Sequence, residues 1–195
     1  MKFVLVRHGE TEWSATGKHT GRTDLTLTAR GREQAAGVKS TVLGVIGDLA
    51  SASIWASPLA RAQQTAQLIV GTHAFGLDER LAEFDYGNYE GLTTAEIKAM
   101  VPGWMLWEGC PGGESMADVV ARVDSFLIDA RRRDAPVTVM FAHGHLLRIL
   151  AARALDQPGS LGRHLAIDTA SVGEIEDLRD GPAITRWNVT AAGRR

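Results

Sequence analysis

The sequence predicts an α/β fold: a three-layer α/β/α sandwich with a mostly parallel central sheet and helices on both faces. Three observations carry this. Residues 3–6, 53–56 and 137–141 are short apolar runs that read as strands buried on both faces. Each run leads into a polar or glycine-bearing stretch and then a helix-like segment. The order strand, helix, strand, helix, then later strand, helix is the pattern that builds parallel sheets.

Taken in order, Phe3, Val4, Leu5 and Val6 form the first strand. Residues 9–27 are polar and too irregular for a helix. Thr28 offers a hydroxyl N-cap for a helix running to about residue 43. Ile54, Trp55 and Ala56 close the second strand. Ser57 then serves as an N-cap with Pro58 at the first helical position, and a helix runs to about residue 70. Residues 77–92 read as loop and 94–100 as a short helix. Residues 101–113 hold two prolines, four glycines, two tryptophans and Cys110, so they form an irregular insertion. Met116, Val119, Val120, Val123, Phe126 and Leu127 fall at helical spacing within 115–133. The third strand is followed by a helix over 145–155. Residues 171–176 and 183–189 flank Asp180-Gly181, a hairpin signal. Residues 191–195 read as a frayed tail. The expected organisation is one domain over 1–195 with a small cap at 93–113.

Composition narrows the function. A length of 195 residues suits one domain, and 45% hydrophobic with 23% charged residues is ordinary for a globular chain. The net charge of −2 gives no broad basic field, so no nucleic-acid partner is expected. A local positive pocket remains compatible with it. One cysteine excludes an internal disulfide framework and a multi-cysteine zinc site. The first apolar run is too short for a signal peptide's core, and Arg7 ends it. No run approaches the roughly 18 apolar residues of a membrane span. The expected setting is cytoplasmic, without membrane contact.

In open parallel sheets, ligands sit beyond the carboxyl ends of the strands. Arg7, His8 and Gly9 follow the first strand. Ser57, Pro58 and, one turn on, Arg61 follow the second. His143, Gly144 and His145 follow the third. Two guanidiniums offer planar forks that match phosphate oxygens. A helix starting at Pro58 would aim free N–H groups at an anion. A neutral imidazole is a competent nucleophile toward phosphorus, and a second histidine, if protonated, adds charge where the transferring group needs it. The spacing of His143 and His145 is also that of a metal pair, or of one functional histidine and one structural partner. No acid for the departing alkoxide emerges from this set. From the residues alone, Glu83 reads as an exposed loop carboxylate.

Arg7-His8-Gly9-Glu10-Thr11 resembles the signature of the histidine phosphatase superfamily, the phosphoglycerate mutase-like clan. Further blocks follow in order: residues 20–28, 31–35, 57–66 and 81–91, then Gly112-Gly113-Glu114-Ser115 and His143-Gly144-His145. The resemblance covers roughly residues 2–150. It implies the phosphoglycerate mutase-like fold and a cofactor-free, metal-free reaction on a small phosphorylated molecule. His8 would become phosphorylated, with Arg7, Arg61 and His143 holding the phosphoryl group. Glu83 would be the missing proton donor and later the base that activates water. Ser14, Thr20, Gly21, Tyr86, Gly144 and His145 would surround the substrate. Ser14 departs from the Asn of many members, though a hydroxyl can also reach a phosphate.

Residues 12–14, 20–21, 85–91, 107–110 and 141–148 are similar to the phosphatase branch that holds fungal sedoheptulose-1,7-bisphosphatase and actinobacterial broad-specificity acid phosphatases. That implies a sugar phosphate. For a bisphosphate, Lys18, Arg22 and Lys98 are candidate cations, each also explicable as a surface charge. A phosphoglycerate mutase-like phosphotransferase on the same site is the alternative, but residues 93–113 carry only Lys98 as a basic residue. A metal hydrolase built on His8, His143 and His145 and a non-catalytic phosphate-binding module are the other rivals. Trp104, Met105, Leu106 and Trp107 either wall the pocket or pack the insertion. The oligomeric state stays open, with a homodimer as one option.

Overall fold

Strand β1 (Lys2–Arg7) sends its buried side chains alternately to two sides: Phe3 and Leu5 join one core, Val4 and Val6 the other. Strand β4 (Val137–Ala142) splits the same way, with Met140 and Ala142 on the first side and Val139 and Phe141 on the second. The first core is completed by Val119, Val123 and Phe126 of helix α5 (Met116–Arg132) and by Leu146, Ile149 and Leu150 of helix α6 (Gly144–Ala154). The second is completed by Val38 and Val42 of helix α2 (Ala29–Ile46) and by Ala66 and Ile69 of helix α3 (Ala60–Val70). Burying each Leu, Ile or Phe contributes about 2 kcal/mol, which explains runs apolar at every position. The three layers follow directly. These features come from a computed structural model, which describes residues 1–133 and 135–191. The end of the expected frayed tail, 192–195, lies outside the described residues.

The sheet has six strands in the order β3-β2-β4-β1-β5-β6, with β2 at Ala52–Ala56, β3 at Gly76–Leu77, β5 at Val172–Leu178 and β6 at Gly181–Val189. Pairs β3–β2, β2–β4 and β4–β1 are parallel; β1–β5 and β5–β6 are antiparallel. The expected hairpin is this β5–β6 pair. Ladder bonding runs past the strand ends: His8 N donates to Ala142 O at 3.0 Å and Ser57 N to Phe141 O at 2.9 Å. The backbones of His8, His143 and Ser57 therefore emerge side by side.

Two expectations need correction. Residues 9–27 do contain a helix, α1 (Glu12–Thr16). Thr11 and Ser14 close its start as a capping box, and Gly17 ends it at φ 74°. Helix α3 starts at Ala60, capped at Leu59, and not at Pro58. The Ser57 hydroxyl accepts from Leu59 N at 3.3 Å, one residue before the helix, and from His143 at 2.7 Å. Helix α4 (Thr94–Met100) matches the short helix expected, held by a Thr93–Glu96 capping box. Among the described residues, no helix is long and apolar enough to cross a membrane.

Candidate active site

His8 leaves β1 with its ring 5% exposed. Its Nδ1 lies 2.7 Å from Gly9 O. A carbonyl only accepts, so Nδ1 carries the proton and Nε2 keeps its lone pair. Burial, then the charges of Arg7 and Arg61, push the pKa well below the usual 6.5. The imidazole is neutral at pH 7. Gly9 N donates to Thr65 Oγ1 at 3.1 Å, which in turn donates to Arg61 O at 2.8 Å. One threonine on α3 thus ties the His8 turn to the Arg61 turn. Sequence reasoning missed it; its only signal was a polar side chain one helical turn after Arg61.

Arg61 is fully buried, where a first-turn arginine ordinarily faces water. Its Nη1 donates to Thr23 O, its Nη2 to Thr20 O and Gly21 O, and its Nε to His143 Nδ1 at 3.1 Å. Glu90 grips the same loop from its donor side, accepting from Gly21 N and Thr23 N. Because Nδ1 of His143 accepts, Nε2 carries the proton and donates to Ser57 Oγ. Burial and the neighbouring cations hold His143 neutral, its pKa well below 6.5. The charge expected of a protonated second histidine is therefore absent. The His143 ring packs 5.2 Å from that of His8, behind the nucleophile. The anion seat expected at the start of α3 is also taken, since Ala60 N donates to Asp24 Oδ1 at 2.7 Å.

Arg7 donates from Nη1 to Ile167 O at 2.6 Å, while its Nε is buried without a partner. A buried guanidinium donor left open is costly unless a ligand takes it. A Cβ on Gly144 would stand 3.2 Å from Arg7 Cζ and 3.3 Å from its Nε, so glycine lets the guanidinium lie flat on α6. Glu83 is 7% exposed. Its Oε1 accepts from Phe84 N and Leu146 N, and its Oε2 from His145 N at 3.2 Å. Two N-terminal amides of α6 thus tie the carboxyl group in place. It is no exposed loop carboxylate.

Arg7, His8 and Glu83 line one cavity of about 260 Å³ with Ser14, Lys18, His19, Thr20, Tyr86, Gly144, His145 and Arg148. Arg61 and His143 do not line it, and Gly21 lines a neighbouring hollow that Glu83 shares. The Ser14 hydroxyl is engaged at the start of α1, accepting from Thr11 N and donating to Thr11 O. Tyr86 Oη and His145 Nδ1 share a 2.7 Å hydrogen bond. Burial holds both neutral, raising the phenol well above 10 and lowering the imidazole well below 6.5.

Sequence reasoning missed His19 and Arg148. The His19 ring contacts Tyr86, Trp104 and His145 at 4.8, 5.7 and 5.9 Å. Arg148 stacks on Trp107 at 4.9 Å and donates to Gly162 O and Arg163 O. The signal for Arg148 was its place three residues after His145, on the same face of α6. Lys18 reaches the cavity; Arg22 pairs with Asp85 beside a neighbouring hollow, and Lys98 lines neither. Of the two roles considered for residues 104–107, packing is the one seen: Trp104 and Leu106 are buried, Trp107 flanks His145, Met105 is exposed, and none of the four lines the cavity. Cys110 is buried, its thiol pushed up to about 12 by burial, so it is no nucleophile. Among the described residues, no three His, Cys, Asp or Glu side chains gather as metal ligands.

The chain is similar to several known proteins. An acid phosphatase of Mycobacterium tuberculosis is 41% identical over 174 residues, 88% of this chain and 84% of that one. A probable phosphoglycerate mutase of Enterobacter sp. is 32% identical across 99% of this chain and 93% of its own. Sedoheptulose 1,7-bisphosphatase of Saccharomyces cerevisiae is 32% identical over 179 residues, 77% of this chain and 66% of its own. A solved structure of an open-reading-frame product from M. tuberculosis superimposes with a TM-score of 0.91 at 35% identity, covering 97% of this chain and 98% of the other. The profile of the histidine phosphatase superfamily (branch 1) matches residues 3–190. The chain belongs to that superfamily and is one of its phosphatases.

Proposed function

We propose that the chain hydrolyses phosphate monoesters, with sugar phosphates as the substrate class, through a phosphohistidine on His8. The observation that carries this is the pairing of an unprotonated His8 Nε2 with the Arg7 guanidinium and the Glu83 carboxyl group in one cavity. His8 Nε2 attacks phosphorus and the bond to the leaving oxygen breaks. Glu83, protonated, gives its proton to the departing alkoxide. Water then attacks the phosphohistidine while Glu83 takes a proton from it, and inorganic phosphate leaves a neutral His8. Arg7 stabilises the charge spread over the phosphoryl oxygens. Arg61 and His143 support the reaction by fixing the loop at 20–23 and by packing against the His8 ring.

The reading treats residues 1–195 as one domain in the cytoplasm, with 93–113 as a small cap. Thr94 at the start of that segment lines the cavity. The rings of His19, Tyr86 and His145 make a polar-aromatic wall, backed by Trp107, suited to a hydroxyl-bearing leaving group. The sugar-bisphosphatase relative supports the same class. The mutase relative supports a second reading, transfer to an acceptor other than water. Against it, residues 93–113 offer one basic side chain with which to clamp a substrate carboxylate.

Rapid quench with labelled substrate tests the proposal. Wild type should show an acid-labile, base-stable adduct. His8→Ala should lower turnover by more than about four orders of magnitude, and exhaustive chelation should leave wild-type rates unchanged. Free phosphate should appear without any bisphosphate donor. An active His8→Ala enzyme, or a rate lost to chelation, sinks the reading; label retained on an acceptor establishes the mutase.

A further inference from the structure

Glu83 lies between two short 3-10 turns, Glu79–Leu81 and Gly87–Tyr89, and belongs to no strand or helix. No ladder fixes its backbone, although proton transfer needs placement to a fraction of an ångström. Arg122 supplies the missing constraint from α5. Its Nη1 donates to Arg80 O at 2.7 Å and Ala82 O at 2.8 Å, and its Nη2 to Glu83 O at 3.2 Å. The remaining donors go to Glu114: Nε to Oε1 at 2.7 Å and Nη2 to Oε2 at 3.0 Å. All five guanidinium N–H groups are thereby used, so this arginine has none left for a substrate. Glu114 extends the grip. Its Oε2 accepts from Asp85 N at 2.9 Å, and its own N donates to Asp85 O at 3.0 Å.

We infer that Arg122, braced by Glu114, is a positioning residue: it holds the segment 80–85 so that the Glu83 carboxyl meets the leaving-group oxygen. This rests on the reading of Glu83 as acid and base. Two grips hold that residue, the amides of α6 on its carboxylate and Arg122 on its backbone. Lysine cannot replace the second. Its ammonium has three donors and no planar fork to span three carbonyls and a carboxylate.

The test exploits the leaving group. A p-nitrophenolate departs without a proton, whereas an alkoxide needs one. Single-turnover phosphorylation of His8 is measured with p-nitrophenyl phosphate and with an alkyl phosphate, in wild type, Glu83→Gln, Arg122→Lys, Arg122→Met and Glu114→Gln. Arg122→Met should slow transfer from the alkyl ester about tenfold or more beyond its effect on the nitrophenyl ester. Arg122→Lys should recover part of that excess. Glu114→Gln keeps the three carbonyl bonds and should show the same pattern at smaller amplitude, which decides the matter should Arg122→Met fold poorly. Equal slowing of both esters in these variants, beside a selective loss in Glu83→Gln, overturns the inference alone. Equal slowing in Glu83→Gln overturns the assignment of the acid, and the inference with it.

Discussion

The inner and outer walls of the cavity are built on different terms. The inner wall hangs from strand ends whose ladder bonds continue into His8 and Ser57, and its side chains are almost wholly bonded to protein. It leaves His8 Nε2 without a protein partner, beside an Arg7 guanidinium bonded through Nη1 to Ile167 O. The outer wall comes from the loop after α1, from the insertion and from the outward face of α6. It is held by ring contacts of 4.8–6.1 Å and by single hydrogen bonds such as Tyr86–His145 and His19–Thr94, and it includes exposed Lys18 and half-buried Arg148. Electrostatic preorganisation belongs to the inner wall, where nothing has to reorganise as charge develops. Leaving-group choice belongs to the outer wall, whose parts can change without disturbing the sheet.

Gly144→Ala is the sharpest way to break this division. Gly144 is the first residue of α6, outside the helix interior where alanine gains about 1 kcal/mol, so stability should change little. The alanine methyl would press on the Arg7 guanidinium at 3.2–3.3 Å and displace it. We expect kcat/KM to fall by about tenfold for every phosphate ester, with Tm little changed. An unaffected rate would mean that Arg7 acts from another position. At the outer wall, Arg148→Met should raise KM for a sugar bisphosphate about tenfold, worth about 1.4 kcal/mol, with kcat within about twofold. KM for a monophosphate should barely move. Equal effects on both substrates would show that Arg148 serves the transferred phosphoryl group, and the two walls would then not divide the work.

The inner wall was legible because strand ends are legible. Three apolar runs place residues 7–8, 57–61 and 143–145 on one edge, and parallel pairing makes that edge a site. Hydrogen-bond direction was not legible. Nothing in the sequence says that Arg61 spends its donors on Thr20, Gly21 and Thr23, or that Asp24 satisfies Ala60. The expected anion seat at Pro58 failed for that reason. Glu83 came only through resemblance, since its burial depends on α6, more than sixty residues away in sequence. His19 gave no local signal, because its ring partners lie in three other segments. A five-residue helix such as α1 rests on two capping bonds and a glycine, too little for periodicity to register.

The smallest expected effect compares the walls by their histidines. His8, His143 and His145 are all held well below 6.5, chiefly by burial. An unfolded chain takes protons on these residues near pH 6.5, while the folded protein refuses them until lower pH. Between those limits the unfolded state binds more protons, so stability rises with pH. The contribution is complete above 6.5 and is lost progressively as pH falls toward the depressed values. Tm should therefore drop by several degrees from pH 7 to pH 5, at about 2–4 °C per kcal/mol for a chain of this size. Turnover should persist through that window, because His8 stays neutral. His143 is fully buried and His145 only partly. His143→Gln should thus flatten the Tm–pH slope more than His145→Gln. Equal flattening would mean that the outer wall excludes water as well as the inner one, and the contrast between them would be one of chemistry alone.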